Sequence, residues 1–197
     1  MNMTSVLSGL GLTTAAALLC LTPAGRATGQ DRPPQLPERF RAVATNLSGG
    51  PGSRATTVEI KLDRMSTDGE RDRLLAALRQ KGQRALLTAL RKAPTAGTIR
   101  TPDSLAYDLH YARSQPWGDG GQQILIATDR PIAFWEASHS ARSLDYPFTV
   151  IEIHVDANGR GEGRMSVATK IIQAGREIVL ENYNAQPVLL TSVTLEE

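Results

Sequence analysis

LAYDLHYARSQPWGDGGQQILIAT, residues 105–128, is the stretch on which the fold turns. Leu105, Tyr107, Leu109 and Tyr111 alternate with Ala106, Asp108, His110 and Ala112, a period of two that puts one set on each face of an extended chain. Gly118, Asp119, Gly120 and Gly121 then supply residues that reverse direction easily, and Gln122 to Thr128 resumes an apolar run. The stretch predicts a β-hairpin, and with it an antiparallel sheet.

Upstream, Phe40–Leu47 reads as a first strand, residues 48–54 as a Gly/Pro/Ser loop, and Thr57–Arg64 as a second strand. Its Val58, Ile60 and Leu62 share one face and its Glu59, Lys61 and Asp63 the other. Thr67 precedes Glu70 by three positions, the spacing of a capping box, and Leu74, Leu75 and Leu78 stripe the helix that it starts. Gly82 offers a left-handed end to that helix. Leu86, Leu87 and Leu90 repeat the stripe before Pro94, so a helical hairpin is expected between two strands.

Downstream, Asp129, Arg130 and Pro131 interrupt before a strand at Ile132–Ala137, and a polar loop through His139 and Ser143 leads to Phe148–Val155. A turn at Asp156, Asn158 and Gly159 follows, then strands Arg164–Gln173, Glu177–Tyr183 and Val188–Leu195. Roughly eight or nine short strands with turns between them predict an α+β fold, predominantly antiparallel β, built as a sandwich or partly open barrel with the helical hairpin inserted.

The N-terminus carries a different signal. An apolar block from Val6 to Leu21 is followed by small residues at Ala24 and Ala27, the pattern of an export signal covering residues 1–27 and too short for a membrane span. Pro33, Pro34 and Pro37 mark residues 28–39 as an extended tether, and residues 40–197 form a single globular domain. The expected destination is the periplasm or the medium, with no integral membrane span left after processing. Cys20 is the only cysteine. Its removal leaves no disulfide, no thiolate nucleophile and no cysteine zinc site. The formal net charge of +2 becomes +1 on loss of Arg26. That balance predicts no general attraction to nucleic acid.

Local patterns of catalytic type are weak. Asp156-Ala157-Asn158-Gly159 has its glycine too early for an EF-hand loop and is better read as an Asn-Gly hairpin turn. Ser138 and His139 are adjacent on extended backbone with no G-x-S-x-G elbow, and Gly49, Gly50 and Gly52 precede no Lys-Ser or Lys-Thr. His110 shares a strand face with Asp108, and His154 shares one with Glu152. If those strands adjoined, His110, His154 and Glu152 would make a plausible zinc or iron ligand set. Arg130 beside Asp129 offers a guanidinium to a carboxylate ligand. Tyr107, Tyr111 and Trp135 belong to an aromatic group, with Trp117, Phe134 and Tyr146, that would line a cavity for an apolar or carbohydrate ligand or else fill the core.

Tyr107–Ala112, Asp129–Ile132, Asp145–Val155 and Gly159–Gly163, set in the order signal, tether, strand pair, helices and β-rich remainder, give the chain a pattern that resembles uncharacterised secreted proteins of bacteria. The resemblance implies export and no particular activity. The reading is thus an exported, noncatalytic binding or envelope-associated module, its partner a small molecule or an envelope protein and its ligand contacts Tyr107, Tyr111, Arg130 and Trp135. No cofactor is expected. The alternative is a metal-dependent enzyme using His110, Glu152 and His154.

Overall fold

The computed structural model describes residues 36–46, 55–102, 104–132, 145–175, 177–182 and 186–196. The signal and most of the tether lie outside these residues, and so do Cys20, Phe134, Trp135, Ser138, His139 and most of the strand expected at Ile132–Ala137.

Among the described residues, ten strands and one helical element run in the order β1 (Glu38–Thr45), β2 (Ala55–Leu62), α1 (Asp68–Arg91), β3 (Gly97–Arg100), β4 (Tyr107–Leu109), β5 (Tyr111–Trp117), β6 (Gly121–Thr128), β7 (Phe148–Val155), β8 (Arg160–Ala174), β9 (Glu177–Asn182) and β10 (Val188–Glu196). These strands pair antiparallel in one sheet, with the path β4-β3-β2-β1-β10-β8-β7-β6-β5 and β9 on the far end of β8. The two ends of that path, β4 and β5, are consecutive in the chain. The sheet therefore curls round on itself as a nearly closed barrel, the second of the two architectures that the strand pattern allows.

The seam explains a break that the alternating sequence hides. The first half of the run from Tyr107 to Trp117 pairs with β3 and the second half with β6. At the changeover the His110 amide donates to Ala127 O at 3.1 Å, and Leu109 and Ala112 are both fully buried in the barrel core. Strict alternation would put Leu109 and Ala112 on opposite faces. Two residues, His110 and Tyr111, therefore sit between inward positions, and His110 is carried to the seam.

The inward faces are apolar. Phe40, Val58, Ile60, Leu62, Ile99, Leu109, Ile124, Ile126, Ile151, Ile153, Met165 and Leu190 belong to one contiguous buried cluster that occupies the barrel interior. The outward faces of β10, β1, β2 and β3 carry charge instead. Arg41 lies 3.0 Å from Glu196 and 3.3 Å from Glu59, and Glu59 is also 2.6 Å from Arg100. That cross-strand charge on β10, β1, β2 and β3 differs from the apolar belt of a lipid-facing barrel. No helix among the described residues is long and apolar enough to cross a membrane.

On the helix, Thr67 and Glu70 form the expected capping box. Thr67 Oγ1 accepts from the Glu70 amide at 3.2 Å, and Glu70 Oε2 accepts from the Thr67 amide at 2.7 Å. Two helices are expected from the leucine stripes. The structure has one 24-residue element in which two helical segments meet at Gly82, whose φ of 72° is open to glycine and strained for other residues. The kink lets both segments face the same patch: Leu78, Leu86 and Leu90 pack with Phe148, flanked by Leu74, Leu87, Tyr111, Ala127 and Ile171. Gln83, next to the kink, accepts from the Ile171 amide at 3.2 Å and donates to Asp145 O at 2.9 Å. The helix thus covers one outer end of the barrel over β5 to β8. Among the described residues, the other end of that outer face stays open.

Candidate functional site

The open end is built from four strands in register. Gln115 of β5, Gln123 of β6, His154 of β7 and Glu162 of β8 form one cross-strand row, and Arg113, Leu125, Glu152 and Arg164 form the next. All eight lie on the outer face because they alternate with inward-pointing residues such as Ala112, Ile124, Ile126 and Ile153. Trp117 ends the β5 set. Its register partner on β6 is Gly121, which contributes no side chain. The indole can therefore lie across β6 and reach β7, where it stacks on His154 with ring centroids 4.2 Å apart and planes 10° off parallel. Gly121 is required for a second reason: a Cβ there would sit 2.4 Å from Val155 O. The tryptophan remains 49% exposed.

Polar side chains around the indole are linked in series. Gln115 Nε2 donates to Gln123 Oε1, Gln123 Nε2 donates to Glu152 Oε1 at 2.6 Å, and Arg164 Nε donates to Glu152 Oε2 at 3.0 Å. His154 Nε2 lies 3.2 Å from Glu152 Oε1, close enough for attraction but off the line of a hydrogen bond. Both arginines of the face are matched, Arg164 by Glu152 and Arg113 by Asp68 at 2.7 Å. The result is a surface of amide, carboxylate and guanidinium groups, both arginines matched and Glu162 in addition, beside a fixed aromatic ring.

A second polar group forms at the seam. Asp129, buried just past the end of β6, has Arg91 Nε at 3.1 Å and, more loosely, His110 Nε2 and Arg130 Nε each at 3.5 Å. Arg91 is in the last turn of α1, where a cation also suits the helix dipole. His110 Nδ1 is buried without a hydrogen-bond partner among the described residues. The following loop is pinned by Thr149, whose hydroxyl lies 3.0 Å from Arg130 O, 3.0 Å from the Ile132 amide and 2.7 Å from Val167 O. This group clasps the helix end to the barrel. It joins a helix, the seam and a loop through one carboxylate, which makes it an anchor first.

The residues singled out in the sequence are distributed as follows. Tyr107 pairs with Ile99 and packs against the barrel core, whereas Tyr111 is half-buried against the helix cluster, where burial pushes its phenol above the ordinary value. The two tyrosines thus serve different clusters. Arg130 joins the Asp129 clasp, and Trp135 lies outside the described residues. Glu152 and His154 come together on the open face. His110 does not join them: it bonds β6 at Ala127 while His154 faces Gln123, four positions along the strand and roughly 13 Å at the usual rise. Among the described residues no three of His, Cys, Asp or Glu gather as a metal-ligand set. In the sequence Trp117 is one aromatic among several. Its spacing of two from Gln115 and four from Arg113, with a glycine run just beyond, is the signal that places it on an exposed strand face.

Comparison with protein-family models, with curated proteins and with solved structures finds no match to this chain.

Proposed function

We propose that this chain is an exported, noncatalytic binding module that holds its ligand on the outer face of the barrel at Trp117. The observation that carries the reading is the half-exposed indole stacked on His154 at the edge of a hydrogen-bonded row of planar polar side chains. Large exposed aromatics held rigid in a polar setting lose little entropy on binding, which makes them effective contacts. The barrel interior supports the same view, since its space is taken by apolar side chains and a ligand is better received outside. Export rests on the apolar block and small residues of positions 1–27, and envelope association follows from that destination.

The experiment has two parts. Intact-mass measurement of the protein recovered outside the cytoplasm should show a chain beginning between Gly25 and Gln30; a retained Met1 refutes export. Co-sedimentation with isolated cell-envelope material should be reduced by Trp117→Ala and left unchanged by Arg130→Ala. Equal retention of wild type and Trp117→Ala refutes the proposed binding face.

A further inference from the structure

Resting on that binding reading, we infer that the Trp117 face takes a neutral oligosaccharide. Three features select the ligand. The indole has one face committed to His154 and half its surface still open. A flat ring with a negative π-face attracts the polarised C–H groups that line one side of a pyranose, and its immobilisation by stacking removes the cost of ordering it on binding. Around it, the Gln115 and Gln123 amides each carry a second N–H beyond the one given to their neighbour, so the row can meet neighbouring hydroxyls while its ion pair stays closed.

Charge decides between sugar classes. An acidic polymer or a phosphorylated ligand would require cations free of partners, but Arg164 already faces Glu152 and Arg113 already faces Asp68. Glu162, opposite His154, adds a further negative group to the row. An anion would meet repulsion there, whereas a neutral ligand exchanges only hydrogen bonds with water. Shape decides size. Four strands at a spacing of about 4.8 Å give an open row roughly 14 Å across, and a surface without walls grips a chain of sugars better than a single ring. Leu125, 41% exposed between Arg113 and Glu152, gives a second apolar contact beside the platform.

Full-length protein is titrated by calorimetry with cellohexaose, chitohexaose, maltohexaose and mannohexaose, and with polygalacturonate as the anionic glycan. The expected result is binding of at least one neutral hexasaccharide, weakened about tenfold or more by Trp117→Ala and weakened less by Trp117→Phe. Because Trp117→Ala also removes the stack on His154, Gln115→Leu serves as a second variant that keeps the platform and removes one amide; it should weaken binding with an unaltered melt. Absence of binding to all four neutral glycans overturns the inference, as does binding that neither Trp117→Ala nor Gln115→Leu changes. Polygalacturonate binding lost in Trp117→Ala, with no neutral glycan bound, overturns the ligand class while leaving the binding face in place. Envelope retention that ignores Trp117 removes the binding face itself.

Discussion

Truncating Leu78 to alanine tests whether the helix is held to the barrel by apolar contact or mainly by its cap and ion pairs. Leu78 is 4% exposed and lies in the small cluster with Leu86, Leu90 and Phe148. The substitution removes roughly three methylene equivalents, which at about 0.8 kcal/mol each is about 2.4 kcal/mol of lost transfer free energy. A cavity term adds to this, and fully rigid sites reach about 5 kcal/mol. The cluster lies between a kinked helix and the outside of a sheet, where the helix can settle inward, so about 3 kcal/mol is expected. Thr67→Ala supplies the scale. It breaks the Thr67 half of the capping box and should cost about 1 kcal/mol, within the usual range of about 0.5–2. Urea melts with unchanged m-values give both numbers. If Leu78→Ala costs no more than Thr67→Ala, the apolar interface is not what holds the helix, and the Arg91–Asp129 clasp takes that role.

Glu70 should leave a mark in the acid limb of the stability curve. Its hydrogen bond from the Thr67 amide, with help from the Arg64 guanidinium, holds its folded-state pKa below the ordinary carboxylate value, so its contribution is complete above about pH 4.3 and is lost as the pH falls through the lower folded value. Glu70→Gln should therefore narrow the stability difference between about pH 5 and about pH 2, and an acid limb identical to wild type would contradict the assignment. Gly121→Ala should destabilise more than Gly82→Ala, because the first drives a Cβ to 2.4 Å from Val155 O while the second meets open space and only a strained φ; equal chemical-denaturation midpoints would count against the Trp117 geometry. Glu59→Gln should change stability by less than about 0.5 kcal/mol, since Arg41 and Arg100 are both more than half exposed. Adding zinc to chelator-stripped protein should leave the melt unmoved, and a rise abolished by His154→Ala would return the metal-dependent reading to favour.

The parts of the fold governed by neighbours in sequence were legible. Thr67 and Glu70 announce a cap because the bonds span three residues, and Val58, Ile60 and Leu62 turn inward as their alternation says. Phe148–Val155 has the bounds its sequence suggests, with Pro147 before it and Asp156 after it. What the sequence left open depends on partners far along the chain. Alternation from Tyr107 to Ala112 looks unbroken, yet the run changes partner at His110, and only β3 and β6 together impose that change. Gly82 reads equally well as the end of a helix or as a kink within one, because a positive φ serves both. At the candidate site, the His154–Glu152 pair follows from strand period alone. Its stacking with Trp117 does not, since it needs Gly121 placed opposite the indole by a turn whose register the sequence leaves undetermined.

The pairing of β1 with β10 has a consequence for how the molecule comes to be. Residues 38–45 find their second neighbour only in residues 188–196, nearly the whole domain later. Ser192, at φ 52°, lies inside the irregular stretch where β10 shifts register against both β1 and β8. The β1–β2 ribbon and the capped helix rest on contacts near in sequence and can form early, but the ring cannot be completed until residues 188–196 join it. Contacts so distant in sequence make for slow folding, so closing the ring is the slow step. Until residues 188–196 take their place, one edge of β1 stays unpaired, and that edge is where a misplaced strand would add.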